Sequence, residues 1–335
     1  MSDWGWEERF DAQPNEPARV LAEHRGGFEV VTLTGERLVQ LAGRFKNEAR
    51  ADDLPSVGDW VAVDGDQIVR VLPRKSVFMR RAPGKEPKAQ VVAANVDTVF
   101  VVAGLDGDFN VRRLERYLTM VYASRAKPVL LLNKADVGDV AAARAETKRL
   151  GDVPVMVLSA LNREGLEALT PWLGNGQTVA VLGSSGVGKS TLINGLLGAD
   201  RQSTQEVRDD SKGRHTTTSR QLLKLPAGAL IVDTPGLREL QLWDATEGLA
   251  IAFADVTELA AQCKFQDCTH THEPKCAVKV ALESGALDAD RYDSWLTLHE
   301  ELTHLEAERS PAQRREQKAR DRAASRAMRQ FHRRR

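Results

Sequence analysis

Gly183-Ser184-Ser185-Gly186-Val187-Gly188-Lys189-Ser190 matches the phosphate-loop pattern G-x-x-x-x-G-K-[ST] at every fixed position. An apolar run at residues 178 to 182 precedes it and a helix-like stretch begins at Lys189, the strand-then-helix setting that gives such a match meaning. Glycines let backbone N–H groups close on phosphate oxygens, Lys189 neutralises β- and γ-phosphate charge, and the Ser190 hydroxyl, followed by Thr191, suits Mg2+. Downstream, Asp233-Thr234-Pro235-Gly236 supplies a second Mg2+-side carboxylate in Asp233 and, in Gly236, an N–H suited to sensing a γ-phosphate. Upstream lies Asn133-Lys134-Ala135-Asp136, and beyond it Ser159-Ala160 at the end of a second apolar run. The phosphate loop alone does not separate ATP from GTP. The Asp136 carboxylate does, because it can accept from guanine N1–H and the exocyclic amine, while the loop at Ser159 and Ala160 approaches O6. The base-reading motif therefore precedes the phosphate loop, the reverse of the usual order, so the chain reads as a circularly permuted guanine-nucleotide domain.

Between the phosphate loop and Asp233, Gly213-Arg214-His215-Thr216-Thr217-Thr218 occupies the place of a first switch. A threonine there can close over Mg2+ and the γ-phosphate, and Thr217 is preferred over Thr216. After Gly236 comes Leu237, where the Ras-like pattern has a Gln that orients the attacking water. Leucine cannot make that hydrogen bond, so slow intrinsic hydrolysis or a substitute group is expected. His215 is the nearest substitute, with a solvated loop histidine as the competing account.

Apolar runs at residues 96 to 105, 127 to 132 and 153 to 158 predict strands, with helices over 111 to 125, 164 to 173 and 189 to 197. Such alternation predicts a mostly parallel sheet covered on both faces. Leu173-Gly174-Asn175-Gly176-Gln177 has turn chemistry and marks the join between the ancestral termini. Residues 25 to 79 instead hold short alternating segments and an Asp64-Gly65-Asp66 hairpin turn, which predict a small antiparallel barrel followed by a basic stretch over 74 to 88. The expected division is 1-92 for the barrel with an N-terminal extension, 93-244 for the nucleotide domain, and 245-335 for a mostly α-helical domain.

The 47 basic residues balance the 47 acidic ones over 335 residues, yet residues 310 to 335 hold ten Arg or Lys against two acids. A basic arm of this kind fits a polyanion, nucleic acid above all, or else a solvated terminus. No apolar run approaches the ~20 residues that span a bilayer, and Met1-Ser2-Asp3-Trp4-Gly5-Trp6 lacks a signal-peptide pattern. No membrane association and a cytoplasmic location are expected. All three cysteines fall in Cys263-x4-Cys268-x-His270-x5-Cys276, which fits a closed tetrahedral Zn2+ site better than a disulfide framework. His272 could stand in for His270. Residues 291 to 308 carry Trp295, Leu298, Leu302 and Leu305 on one helical face.

With these motifs together, the chain resembles the RsgA (YjeQ) family of ribosome small subunit-dependent GTPases, over nearly its whole length and including Val57-Gly58-Asp59 in the barrel. The first thirty residues and the length of the basic tail lie outside the resemblance. The resemblance implies an oligonucleotide-binding barrel (OB-fold), a permuted P-loop GTPase and a zinc-binding domain. It further implies binding of GTP and GDP with Mg2+, one structural Zn2+, and late-stage assembly of the 30S subunit with contact to 16S rRNA and stimulation by the subunit. It carries over His215 as the catalytic histidine and supports His270 as the metal ligand. A monomer is expected. The alternatives are a GTP-regulated RNA-binding protein outside ribosome assembly, a P-loop ATPase or kinase, against which Asp136 argues, and a passive RNA-binding scaffold, against which Lys189, Ser190 and Asp233 argue.

Overall fold

A computed structural model describes residues 1–7, 12, 14–24, 26–82, 89–198, 220–233 and 242–308. The first-switch residues His215, Thr216 and Thr217, the pair Gly236 and Leu237, and the basic tail lie outside the described residues.

The nucleotide half is a sheet of five parallel strands, β8 (Thr98–Gly104), β9 (Lys127–Asn133), β10 (Val155–Val157), β11 (Thr178–Leu182) and β13 (Leu230–Asp233), in the order β10-β9-β8-β11-β13. A strand of antiparallel sense, β12 (Gln221–Lys224), follows β13. All seven residues of β8 are buried, the pattern of a strand covered on both faces. On one face Val99, Val101 and Ala103 join Leu114, Leu118 and Val121 of α2 (Val111–Ser124). On the other, Phe100 and Val102 join Leu192 and Ile193 of α4 (Lys189–Leu197). The strand that feeds the phosphate loop thus lies mid-sheet although its sequence comes after β8, β9 and β10. The permutation lies in the chain order of the motifs: β9, which ends at Asn133, comes before β11, which leads to Gly183, although both belong to the same parallel sheet.

Two expected elements differ from their sequence patterns. Residues 164 to 173 form a 3-10 helix over Leu166–Trp172 rather than an α-helix, because Pro171 inside it has no N–H to extend an i→i−4 ladder. The strand expected over 153 to 158 shortens to Val155–Val157. Pro154 offers only its carbonyl, to the Leu130 N–H at 2.8 Å, and Ser159 leaves the ladder to pair with Glu164.

The N-terminal barrel comprises β1 (Glu16–His24), β2 (Gly27–Thr32), β3 (Gly35–Leu41), β4 (Trp60–Asp64) and β5 (Gln67–Val71), and closes through β1–β4 pairing. Val20, Val30, Val39, Val61 and Ile68 fill its interior. The sequence reading began the barrel at residue 25 and missed β1, which lies at its centre between β2 and β4. β1 also meets β12, with Ala22 opposite Gln221, so one eleven-stranded sheet runs from the guanine-motif strands into the barrel. Within the basic stretch after the barrel, Val77–Arg81 (β6) pairs antiparallel with Ala89–Ala94 (β7) as a separate two-stranded sheet, and residues 83–88 lie outside the described residues.

C-terminal to the sheet, helices α5 (Thr246–Ala252) and α8 (Ala289–Glu308) pack against α2, while α6 (Ala254–Ala260) packs against α5 and α7 (Ala277–Glu283). A Cβ on Gly248 would sit 2.1 Å from the Thr119 carbonyl oxygen, so glycine permits the close α5–α2 approach. Leu298 and Leu302 are buried in the same core as Leu118, as the helical stripe predicted. Ion pairs fasten this contact. Arg116 forms a bidentate pair with Glu301 at 2.6 and 2.7 Å, and buried Arg291 reaches Glu115 at 3.0 Å and Asp255 at 3.1 Å while lying over the Phe253 ring. Among the described residues no helix is long and apolar enough to cross a membrane.

Candidate functional site

The nucleotide motifs converge at the carboxyl ends of the parallel strands, where open α/β sheets bind ligands. Asn133 ends β9, Gly183 follows β11, Asp233 ends β13, and Ser159 and Ala160 follow β10. Asn133 ties three of these segments together. Its side-chain amide donates to the Val187 carbonyl at 2.7 Å, and its Oδ1 accepts from the Ala160 N–H at 2.9 Å. A residue 2 % exposed therefore acts as a spacer between the guanine-motif loops and the phosphate loop. Gly188 completes the fit, with φ of 94° and only 2.4 Å from where its Cβ would stand to Asn133 Nδ2.

Lys189 opens α4 and is buried, its ammonium donating to the Gly183 carbonyl at 2.8 Å and to the Ser184 carbonyl. Ser185 and Gly186 are exposed at the loop's rim, and Val187 is buried beneath it. Ser190 and Thr191 are half-buried in the first turn of α4. Asp233 is buried at the end of β13, which pairs directly with β11. The Ser190 hydroxyl in the first turn of α4 and the Asp233 carboxylate at the end of β13 are hard oxygen donors of the kind Mg2+ takes. Asp136 is exposed, as are Val137 and Leu161 nearby in sequence on the two base-motif loops. Lys134 has left-handed backbone, φ 65°, and pairs with Asp106. Sequence reasoning missed Asp106 and Asp108, which follow β8 and belong to no nucleotide motif. Asp108 accepts from the Ser184 hydroxyl and from Arg113, and these two partners hold its carboxyl below the usual carboxylate range.

The second site lies between α6 and α7. The ligand atoms of Cys263, Cys268, His270 and Cys276 all fall within 4.8 Å of one another. Cys263 Sγ stands 3.6 Å from His270 Nδ1 and 3.8 Å from Cys276 Sγ, and Cys276 Sγ stands 3.4 Å from His270 Nδ1. Tetrahedral ligands at about 2.0 to 2.3 Å from an ion are separated by roughly these distances, so the four residues can hold a metal. Burial lowers the His270 pKa, which favours the neutral imidazole a metal needs. His272 is exposed and outside the cluster. The loop between the ligands is folded by Glu273, whose carboxylate accepts from the Thr269 N–H and hydroxyl at 2.9 and 2.6 Å and from the Thr271 and His272 N–H groups at 3.1 Å.

Residues 71–243 match the family model described as RsgA GTPase. A relative from Opitutus terrae named small ribosomal subunit biogenesis GTPase RsgA is 49% identical over 331 residues, covering 91% of this chain and 90% of its own. Among solved structures, YjeQ from Thermotoga maritima aligns with a TM-score of 0.64 at 28% identity, covering 86% of this chain and 99% of that one. YloQ, described as a circularly permuted GTPase, aligns at 0.61 over 89% of this chain and 98% of its own, and at 24% identity that likeness concerns the fold. With a permuted nucleotide sheet, a five-stranded barrel and a four-ligand cluster in the same chain, this protein belongs to the RsgA GTPase family.

Proposed function

We propose that this GTPase acts in biogenesis of the small ribosomal subunit, hydrolysing GTP to GDP and phosphate when bound to the 30S particle. The observation that carries the reading is Asn133, which joins the base-motif loops to the phosphate loop, in a chain 49% identical to a relative named for that role. Asp136 reads the guanine edge and the Ser159 and Ala160 backbone approaches O6. The phosphate loop from Gly183 to Ser190 cradles the phosphates, with Lys189 between the β- and γ-oxygens. Ser190, Thr217 and Asp233 would hold Mg2+, which supplies charge neutralisation at the phosphates. Because Leu237 cannot orient water, His215 takes that part, and the 30S subunit fixes the loop that carries it. Cys263, Cys268, His270 and Cys276 would hold one Zn2+, which cross-links the loop between α6 and α7.

The barrel and the basic tail contact 16S rRNA through phosphate neutralisation, and the site of action is the cytoplasm. Two connections support a nucleotide-gated grip on the subunit. β12, which emerges from the first-switch region, pairs with β1 of the barrel. Leu242 and Ala245, which follow the second switch, are buried in the core shared with α2 and the C-terminal helices. Thr217 and Gly236, ordered by the γ-phosphate, would bias both ends of that grip at once. The protein works as a monomer on this reading. The test is GTP hydrolysis by the purified protein alone, with 30S subunits, with 70S ribosomes and with naked rRNA. Strong stimulation by 30S alone is expected, and equal rates in all four conditions would sink the proposal.

A further inference from the structure

Ser184 is held from two sides. Its carbonyl accepts from the Lys189 ammonium, and its hydroxyl donates to Asp108. Asp108 is itself fixed by Arg113, whose Nη1 lies 2.8 Å from each carboxylate oxygen, and the Arg113 N–H is capped by Asn110 Oδ1 at 3.0 Å. These contacts form a continuous chain from the first turn of α2 to the ammonium of the phosphate-loop lysine. We infer that Asp108 is a positioning residue for GTP turnover, acting through the Ser184 hydroxyl to fix the carbonyl that seats Lys189.

This inference rests on the phosphate-loop reading of Gly183 to Ser190. Lysine is a point charge on a flexible four-carbon stem, so its placement depends on the acceptors around the ammonium. A group that stabilises charge building on the γ-phosphate must hold its position to within about 0.5 Å. Freed of Asp108, Ser184 can rotate its carbonyl, and the ammonium spreads over a wider volume. Ground-state GDP, gripped by backbone N–H groups and by the base contacts, feels little of this. The transition state feels more, because its extra charge lies where the ammonium must be.

The measurement is single-turnover GTP hydrolysis and fluorescent-GDP affinity on the full chain, for Asp108→Ala, Asp108→Asn, Ser184→Ala and the double variant Asp108→Ala with Ser184→Ala. Asp108→Ala and Ser184→Ala should each lower the hydrolysis rate about tenfold, with GDP affinity within about twofold of wild type. Asp108→Asn keeps an acceptor for the hydroxyl and should lose less. In the double variant the rate should fall no further than in Ser184→Ala alone, the signature of two groups acting as one. Ser184→Ala removes a single oxygen, so it carries the test should Asp108→Ala fail to fold.

From pH 6 to 9 the ratio of wild-type to Asp108→Ala rates should stay flat, since Asp108 is ionised throughout; a ratio that titrated in that range would mark proton transfer instead and overturn the inference. It is equally overturned if Asp108→Ala leaves the rate unchanged, or lowers it by the same factor with and without the Ser184 hydroxyl. Lys189→Ala, measured alongside, separates two failures. Lost turnover there with an unaffected Asp108→Ala removes only the role of Asp108, whereas unchanged turnover removes the phosphate-loop reading and this inference with it.

Discussion

The phosphate loop and the metal cluster both gather polar groups on short irregular segments, but they are held in shape by different means. The phosphate loop is braced by the sheet beneath it: Val187 is buried, Asn133 bonds it to the loop after β10, and Lys189 closes it from within. The metal loop meets the helical core mainly through Cys276, with Cys263 and Cys268 at its edge. Cys268 is only partly buried, residues 271 and 272 are exposed, and the backbone between the ligands is gathered chiefly onto one carboxylate, Glu273. One site is preorganised by packing, and the other brings four ligand atoms together where a bound ion would cross-link the loop. Removing a partner should therefore damage them differently.

Metal removal should have the largest effect. Treatment with a strong chelator should release the metal ion held by this cluster and expose residues 261 to 276 to proteolysis, because binding free energy at such a site is folding free energy. The fluorescent-GDP affinity should stay within about threefold, since α5 and α8 remain seated on α2 through the shared core and the Arg116–Glu301 pair. Concurrent collapse of GDP binding would break the comparison, because it would show the nucleotide site leaning on the ion.

Next in size is Asn133→Ala. It leaves the Ala160 N–H and the Val187 carbonyl without their partner in a dry environment, a loss of about 2 kcal/mol in denaturant unfolding. GDP affinity should fall with it, since the base loop and the phosphate loop lose their spacer. A variant as stable as wild type but unable to bind would sharpen the contrast differently, by assigning Asn133 to the ligand rather than to the scaffold.

The smallest effect is expected from His272→Ala. That side chain is exposed and outside the cluster, so metal content measured by mass spectrometry should match wild type, while His270→Ala should lose most of it. Equal losses from the two would place His272 among the ligands.

What the sequence disclosed about these regions follows from how each encodes its shape. The phosphate loop was legible because glycines, a lysine and a serine at fixed spacing sit between an apolar run and a helix start, and the structure places β11 and α4 on those bounds. β1 was not legible. Its burial runs over five consecutive residues without alternation, and one of them is Arg19, whose guanidinium bonds the Thr178 hydroxyl at 2.8 Å. A charged residue after Pro17 reads as surface until its partner, 159 positions later, is known. The choice of His270 over His272 also lay outside spacing, because both follow Cys268 closely; it depends on a left-handed turn at His270, φ 61°. Asp108 carried no signal, since its meaning comes only from folding against Ser184.

The permuted strand order also sets a schedule for the newborn chain. β8 carries the apolar sequence Thr-Val-Phe-Val-Val-Ala-Gly and lies between β9 and β11. β9 is synthesised soon after it, but β11 comes only after β10 and the 3-10 segment. At roughly 5 to 20 residues per second, the phosphate loop trails Asn133 by about 3 to 10 s. During that interval β8 presents an unpaired apolar edge, a template for strand addition by any neighbouring chain. An ordinary gene order would have laid down the phosphate-loop strand first. Here the ribosome that makes the protein must carry a half-built sheet with its sticky side open, and shielding that edge falls to whatever waits at the exit tunnel.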